Sequence, residues 1–316
     1  MSISLSQPQN NEEFQLEDTV VFQGTVNSPI AKVEFLADDR WSLPRATIVG
    51  DRWSVSYQFN TSGKRKITIQ GFDNDNTLID TIEVQVIIQN QEFNFPVLTN
   101  TTIEQELTLW ATYYYVQLAQ ENIEGIPLLD SSGNVISPKI SERDWCAGAV
   151  EGTIGIKNNS DEYSVYNYAG VGSTVQANCR QYYPGLSESI VRSTNKVRFK
   201  MSNGAYGEGT SGLILVPYRS IAVDRSKIAI GSLIFIPEAR GKEVVLPSRK
   251  TVTHDGYFYA ADVGGAIRDY HIDVFLGVSN QNPFPFIRSN SSGTFSAYLI
   301  QDEQISNKLK AAHQAT

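Results

Sequence analysis

The chain has 316 residues, more than one average domain needs and enough for two. A hydrophobic fraction of 41% suffices for ordinary globular cores. A formal net charge of −8 argues against nucleic acid or an anionic membrane surface as a partner, because both select clustered Lys and Arg. The longest basic run, Lys64-Arg65-Lys66, sits inside an alternating strand pattern and is expected to be a solvated face.

From about residue 17 to residue 88 the chain reads as short strands with period-two alternation. Their inward faces are expected to be Val33 and Phe35; Trp53, Val55, Tyr57 and Phe59; Ile67 and Ile69; and Ile82, Val84, Val86 and Ile88. Turn signals at Asn27-Ser28-Pro29, Gly50-Asp51, Ser62-Gly63 and Asp73-Asn74-Asp75-Asn76 separate them at the spacing of an antiparallel sandwich. This pattern resembles a bacterial immunoglobulin-like domain, assigned to residues 1–90, which acts as a spacer or an adhesion module. Residues 91–104 lack a clear period and read as a linker.

From Leu107 the strands lengthen and carry aromatic residues, as in Leu109-Trp110-Ala111-Thr112-Tyr113. Residues from about Asp130 to Gly212, rich in Ser, Asn, Gly and Tyr, are expected to be long irregular loops. Their tyrosines, Tyr163, Tyr166, Tyr168, Tyr182, Tyr183 and Tyr206, are candidate stacking platforms, although packing is the commoner role. Cys146 and Cys179 are the only cysteines, either a disulfide pair or two inert thiols. Residues 301–316, with Ile305 and Leu309 four apart, read as a short surface helix or tail.

Three apolar strands are each expected to end on an aspartate: Ser220 to Asp224, Tyr257 to Asp262, and the strand that reaches Asp273 within His271-Ile272-Asp273-Val274-Phe275. A carboxylate closing a buried strand is poorly solvated, so desolvation and neighbouring acids are expected to raise its pKa. Gly264 and Gly265, directly after Val263, would let a bulky polymer approach the backbone beside Asp262. For Asp224, before Arg225-Ser226, a plain turn role is the competing reading.

Taken together, Ala222-Val223-Asp224, Ile228 to Gly231 with Ile236-Pro237, Asp262 to Ile267 and His271 to Phe275 resemble the three-aspartate (3D) domain of MltA-type lytic transglycosylases. Ala111-Thr112-Tyr113 resembles its opening strand, and Arg225-Ser226 departs from the proline common after the first aspartate. The resemblance implies an all-β chain, with the sandwich followed over residues 105–300 by a double-psi β-barrel carrying long loop insertions. It implies cleavage of the β-1,4 bond between N-acetylmuramic acid and N-acetylglucosamine in peptidoglycan, leaving 1,6-anhydro ends. Asp262 becomes the catalytic acid and base, Asp224 and Asp273 its electrostatic partners, and Gly264, Gly265, Tyr113, Tyr206 and His271 the substrate contacts. His271 is expected to face away from Asp273. Neither cofactor nor metal is called for.

A non-catalytic glycan-binding barrel and a hydrolytic muramidase are the alternatives. An aspartic protease needs two Asp-x-Gly signatures, and Asp224-Arg225-Ser226 is not one. The N-terminus shows neither a basic n-region nor an apolar h-region, and no apolar run spans a membrane. Work in the periplasm or wall then requires a removed signal, lysis or an injection device. A wall component or a delivery apparatus is the candidate partner of the N-terminal domain.

Overall fold

The computed structural model describes residues 2–15, 18–38, 41–59, 63–89, 93–99, 102–157, 163–247 and 249–314. Gln91, Glu92, Asn100 and Thr101 of the expected linker, Ser62 of one expected turn and the side chain of Tyr163 lie outside the described residues. The chain divides into two compact units, Met1–Asn90 and Gln91–Ala315.

The first unit holds β1 (Ile3–Gln7), β2 (Glu12–Gln15), β3 (Thr19–Val26), β4 (Lys32–Ala37), β5 (Trp41–Ser42), β6 (Thr47–Val49), β7 (Arg52–Gln58), β8 (Gly63–Phe72) and β9 (Leu78–Gln89). They form two sheets, ordered β1-β3-β7-β6 and β2-β9-β8-β4-β5. Strict alternation drives this arrangement: β3 buries every second residue, and its Val20 and Phe22 meet Trp53 and Val55 of β7 across from Phe35, Ile67 and Val84 in one core. β1 and β2 lie ahead of the run of strands legible in the sequence. The basic run is not a uniform solvated face. Arg65 shares the parity of Ile67 and Ile69, is buried, and pairs with Asp38 at 3.3 Å, while Lys66 pairs with Glu83.

The second unit begins with β10 (Ile103–Tyr114), β11 (Gln117–Leu129), β12 (Val135–Ile140), helix α1 (Glu142–Glu151), β13 (Thr153–Lys157) and β14 (Tyr163–Val171). Helix α2 (Glu188–Thr194), β15 (Val197–Met201), β16 (Ser220–Val223), β17 (Leu233–Phe235), β18 (Glu243–Val245) and β19 (Thr251–Thr253) follow. Then come β20 (Tyr257–Asp262), β21 (His271–Phe275), β22 (Phe295–Ile300) and helix α3 (Glu303–Ala312). Six strands close a barrel in the order β10-β21-β16-β20-β17-β22, and Leu109, Ile221, Ile234, Phe258, Ile272 and Val274 fill it.

Residues expected to be irregular loops instead form a folded insert. β12-β11-β13-β14-β15 make a five-stranded sheet, and α1 packs on it through Trp145, Cys146 and Ala149. The strand Thr153–Lys157 is almost wholly buried, so no period-two alternation marked it in the sequence. Ser141 caps α1 by accepting from the backbone N–H of Asp144, and Gly152 ends it at φ 81°.

Cys146 and Cys179 form a disulfide across a sequence separation of 33, tying α1 to the 3-10 turn Cys179–Gln181. Closing a loop of that size restricts the unfolded chain by about 3–4 kcal/mol. Reduction, or the Cys146→Ala/Cys179→Ala double variant, is therefore expected to lower the denaturation midpoint while turnover per folded molecule persists. An unchanged midpoint would remove the bond from what holds the insert together.

The expected linker is packed rather than free. Phe95 is buried against Tyr257 and Tyr259, and its backbone N–H donates to Asp255 at 3.1 Å. Phe93 lies under the Arg219 guanidinium at 4.0 Å. The C-terminal segment is likewise no frayed tail: α3 buries Ile305 and Leu309 in the same cluster. The next residue but three, His313, is buried with its Nε2 2.9 Å from the Ser220 hydroxyl.

Candidate active site

Lateral pairing on the barrel sets the site. Ala222 of β16 pairs with Asp262 of β20 on one side and with Asp273 of β21 on the other, and Asp273 pairs in turn with Thr112 of β10. Residues directly opposite one another project from the same face of a sheet, so Asp262, Ala222, Asp273 and Thr112 form one row. Two strand spacings separate the aspartate backbones by about 10 Å. The small side chain between them leaves the carboxyl groups an open path to each other.

Asp262 reaches this face through a bulge. Phe258 and Ala260 point into the barrel, and simple alternation would send Asp262 after them. The pairing runs Ile221 with Ala260 and then Ala222 with Asp262, so Ala261 is skipped and the aspartate turns to the opposite face. The Thr210 N–H donates to the Ala261 carbonyl at 2.9 Å. A Cβ on the neighbouring Gly209 would stand 2.3 Å from that same carbonyl oxygen, so glycine is required for the approach.

The row opens on a cavity of about 880 Å³ lined by Tyr113, Tyr114, Glu151, Tyr168, Lys200, Asp224, Asp262, Gly264, Gly265 and Asp273, among others. Burial pushes Asp262 up to about 6, against the hydrogen bonds it accepts from the Val263 N–H at 2.8 Å and the Tyr114 hydroxyl at 3.0 Å. Burial likewise pushes Asp273 up to about 6, against a 2.6 Å bond from the Thr112 hydroxyl, and the charge of Asp262 adds to the rise. Tyr114 is raised well above an ordinary tyrosine by burial first and then by the charges of Asp262 and Asp273, which keeps its proton in place as a donor. Both aspartates carry the elevated values expected from burial, although Asp262 ends β20 while Asp273 lies in the middle of β21 rather than at a strand end.

Asp224 does not. It accepts from the Ser226 N–H and the Asp269 N–H, both at 2.9 Å, and these bonds, led by Ser226, hold it down at about 2. It is a turn-capping carboxylate at the cavity rim, and it stays ionised where the other two take up protons.

The remaining expected contacts divide. Tyr113 lines the cavity with its hydroxyl donating to the Asn280 carbonyl at 3.3 Å. Gly265 is open, whereas a Cβ on Gly264 would meet Ile267 at 2.6 Å, so Gly264 serves chain packing as well as access. Tyr206 is 6% exposed in a cluster with Tyr114, Val116 and Phe275, which excludes it as a stacking platform. Of the insert tyrosines, Tyr168 lines the cavity and is 49% exposed, while Tyr166 is buried.

His271 does not face away from Asp273. Residues two apart on a strand share a face. One hydroxyl, that of Thr112, joins both: it donates to Asp273 and lies 2.8 Å from His271 Nε2. Trp110 stacks on the imidazole at 3.6 Å. His271 thereby orients Thr112 from beneath the row and is absent from the cavity wall.

The sequence reading missed Tyr114 and Glu151. Tyr114 follows the matched Thr112 by two and was findable from parity alone. Glu151 ends a helix in a segment read as loop, and nothing local marked it.

The family model of the 3D domain matches residues 219–283, which hold all three aspartates. No curated protein matches the chain. Among solved structures, MltA of E. coli with bound chitohexaose is similar at 19% identity and a TM-score of 0.39, covering 61% of this chain and 72% of that one. A membrane-bound lytic murein transglycosylase from Agrobacterium tumefaciens shows 12% identity and a TM-score of 0.41, covering 64% of this chain and 76% of that one. The fibronectin(III)-like modules of CbhA from Clostridium thermocellum show 17% identity and a TM-score of 0.24, covering 27% of this chain and 94% of theirs.

Proposed function

We propose that this chain, with a 3D domain over residues 219–283, is a peptidoglycan lytic transglycosylase whose acid and base is Asp262. The carrying observation is the pair of desolvated aspartates, Asp262 and Asp273, on one row facing one cavity. A carboxyl group raised to about 6 keeps a proton to give in mildly acidic surroundings, which an ordinary aspartate does not.

The reaction closes without water. Asp262 gives its proton to the glycosidic oxygen, and the bond from that oxygen to muramyl C1 breaks. The muramyl O6 hydroxyl then bonds to C1 and returns its proton to Asp262. The Tyr114 hydroxyl, donating to Asp262, stabilises the carboxylate between the two steps. Asp273, held by Thr112, is raised by burial and by the charge of Asp262, so it holds its own proton beside Asp262 when Asp262 has given its proton away. The enzyme works outside the cytoplasm, where the Cys146–Cys179 bond persists. The N-terminal sandwich serves as a spacer or as an attachment to a wall component or a delivery apparatus.

Digestion of purified peptidoglycan is expected to give muramyl ends lighter by one water than reducing ends, read by mass spectrometry. Reducing ends would make the protein a hydrolytic muramidase, which needs a second carboxylate. Asp273 would then be that group, since the low value of Asp224 leaves it a weak base.

A further inference from the structure

Glu151 is the last residue of α1, and the left-handed Gly152 ends the helix directly after it. A carboxylate is badly placed there, because the free carbonyls of a last helical turn favour cations, and α1 has no basic residue in that turn. Burial adds to the misfit, pushing Glu151 up to about 7, against a hydrogen bond from the Tyr115 N–H and with the charge of Asp273 adding to the rise. Positions that break local rules without local compensation concentrate at functional sites.

The geometry holds the residue still and leaves part of it free. α1 is fixed by five consecutive buried residues, Trp145 to Ala149, and by the Cys146–Cys179 bond. A Cβ on Gly148 would meet Ile154 at 2.7 Å, so the helix lies close against β13. The Tyr115 N–H donates to Glu151 Oε2 at 3.3 Å, and Oε1 has no hydrogen-bond partner among the described residues. Glu151 lines the same cavity as Asp262 and Asp273, but from the insert rather than the barrel.

We propose that Glu151 is a substrate-orienting residue of this groove, its carboxylic acid donating a hydrogen bond from the insert to an acceptor oxygen of the glycan lying across Asp262. The inference rests on the transglycosylase reading above. The groups facing Glu151 are Tyr114 and Tyr115 at the end of β10, Asp273 on β21 and Tyr183 after the 3-10 turn. Asp262 and the Lys200–Glu208 pair share its cavity, and Arg143 and Asp144 lie on its own helix. Burial raises all three tyrosines, so they stay neutral where Glu151 titrates. Lys200 is engaged by Glu208. Above about pH 7 Glu151 therefore ionises, loses its donor and sets a negative charge beside Asp273.

Glutamine at this position accepts from Tyr115 as before and donates at every pH, so it separates a donor role from a structural one. The measurement is KM and kcat on soluble glycan fragments from about pH 5.5 to about pH 9, with chemistry slow enough for KM to report binding. Wild-type KM is expected to rise about tenfold through the upper half of that range, as the loss of one hydrogen bond predicts. Glu151→Gln should keep the low wild-type KM throughout, and Glu151→Ala should show a KM about tenfold higher at every pH, with kcat within about threefold. A Gln variant that follows the wild-type pH dependence, or an Ala variant with unchanged KM, overturns the proposal. Asp262→Asn assayed beside them tests the reaction itself: if it cuts at the wild-type rate, the transglycosylase reading fails whatever Glu151 does.

Discussion

Asp262→Asn is expected to lower the cutting rate by about 10²-fold or more and, at neutral pH, to raise the stability of the second unit. The two effects have one cause. Asparagine keeps the size of the side chain and removes the transferable proton, so glycan binding should survive while chemistry stops. The wild-type carboxyl is raised by burial to about 6, well above its unfolded value. The folded state therefore binds more protons than the unfolded state between about pH 4 and about pH 6. Stability from this group is fully present below the unfolded value and is lost as pH rises through about 6. The loss is on the order of 2–3 kcal/mol for a shift of about two units. An uncharged side chain escapes it. The rate of the wild type should also fall above about pH 6, as the acid form disappears.

Two measurements separate this account from a purely structural one. Denaturation midpoints at about pH 4 and about pH 8 should differ for the wild type and draw together in the variant. Asp273→Asn should show a similar stabilisation and a smaller loss of rate, because its role is electrostatic. Asp224→Asn should show no stabilisation, since its carboxylate is held ionised by backbone donors. An Asp262→Asn variant that cuts at the wild-type rate would leave the mechanism without a centre.

Particular residues show how far the sequence could be read. Strand alternation sufficed for the sandwich because each inner face meets one core, and the periodic residues from Val33 to Ile88 are the ones packed there, with Tyr57 and Ile82 at its margin. Asp224 and Asp262 were legible because each closes an apolar strand, and Asp273, in the middle of β21, because it interrupts an apolar run. The fate of Asp224 was legible in part, since the turn at Arg225-Ser226 supplies the leading bond that holds it ionised, while the distant Asp269 N–H adds one that no local pattern announces. The turn of Asp262 out of the barrel depends on the skipped Ala261, which the apolar run Phe258 to Ala261 does not reveal. In the insert, β13 is buried on nearly every residue and so lost the alternation by which strands are found. The linker held a clue in Phe93 and Phe95, since alternating aromatics are out of place in a solvated connector.

Breaking the ion pair between Arg219 and Asp255 is expected to be the most destabilising single change in the second unit, at about 3–5 kcal/mol. Arg219 is 0% exposed and Asp255 4%, and the pair is bidentate, with Nη1 to Oδ1 at 2.6 Å and Nη2 to Oδ2 at 2.7 Å. Burial alone would raise Asp255, but the Arg219 hydrogen bonds and charge, with the Tyr257 N–H, outweigh it and leave the value lowered. The same carboxylate accepts from Phe95, and the guanidinium also donates to the Tyr257 carbonyl. The pair thus joins the residue entering β16, the approach to β20 and the segment before the barrel. Asp255→Ala strands a guanidinium with no countercharge. For a unit of this size the melting temperature should fall by about 10 °C. Replacing both residues, as Arg219→Met with Asp255→Ala, removes the stranded charge and should recover a large part of that loss. Cutting per folded molecule should be little changed, because the pair sits at the start of β20 and Asp262 at its end. A double variant no more stable than Asp255→Ala alone would show that packing and backbone bonds, not the paired charges, hold this end of the barrel.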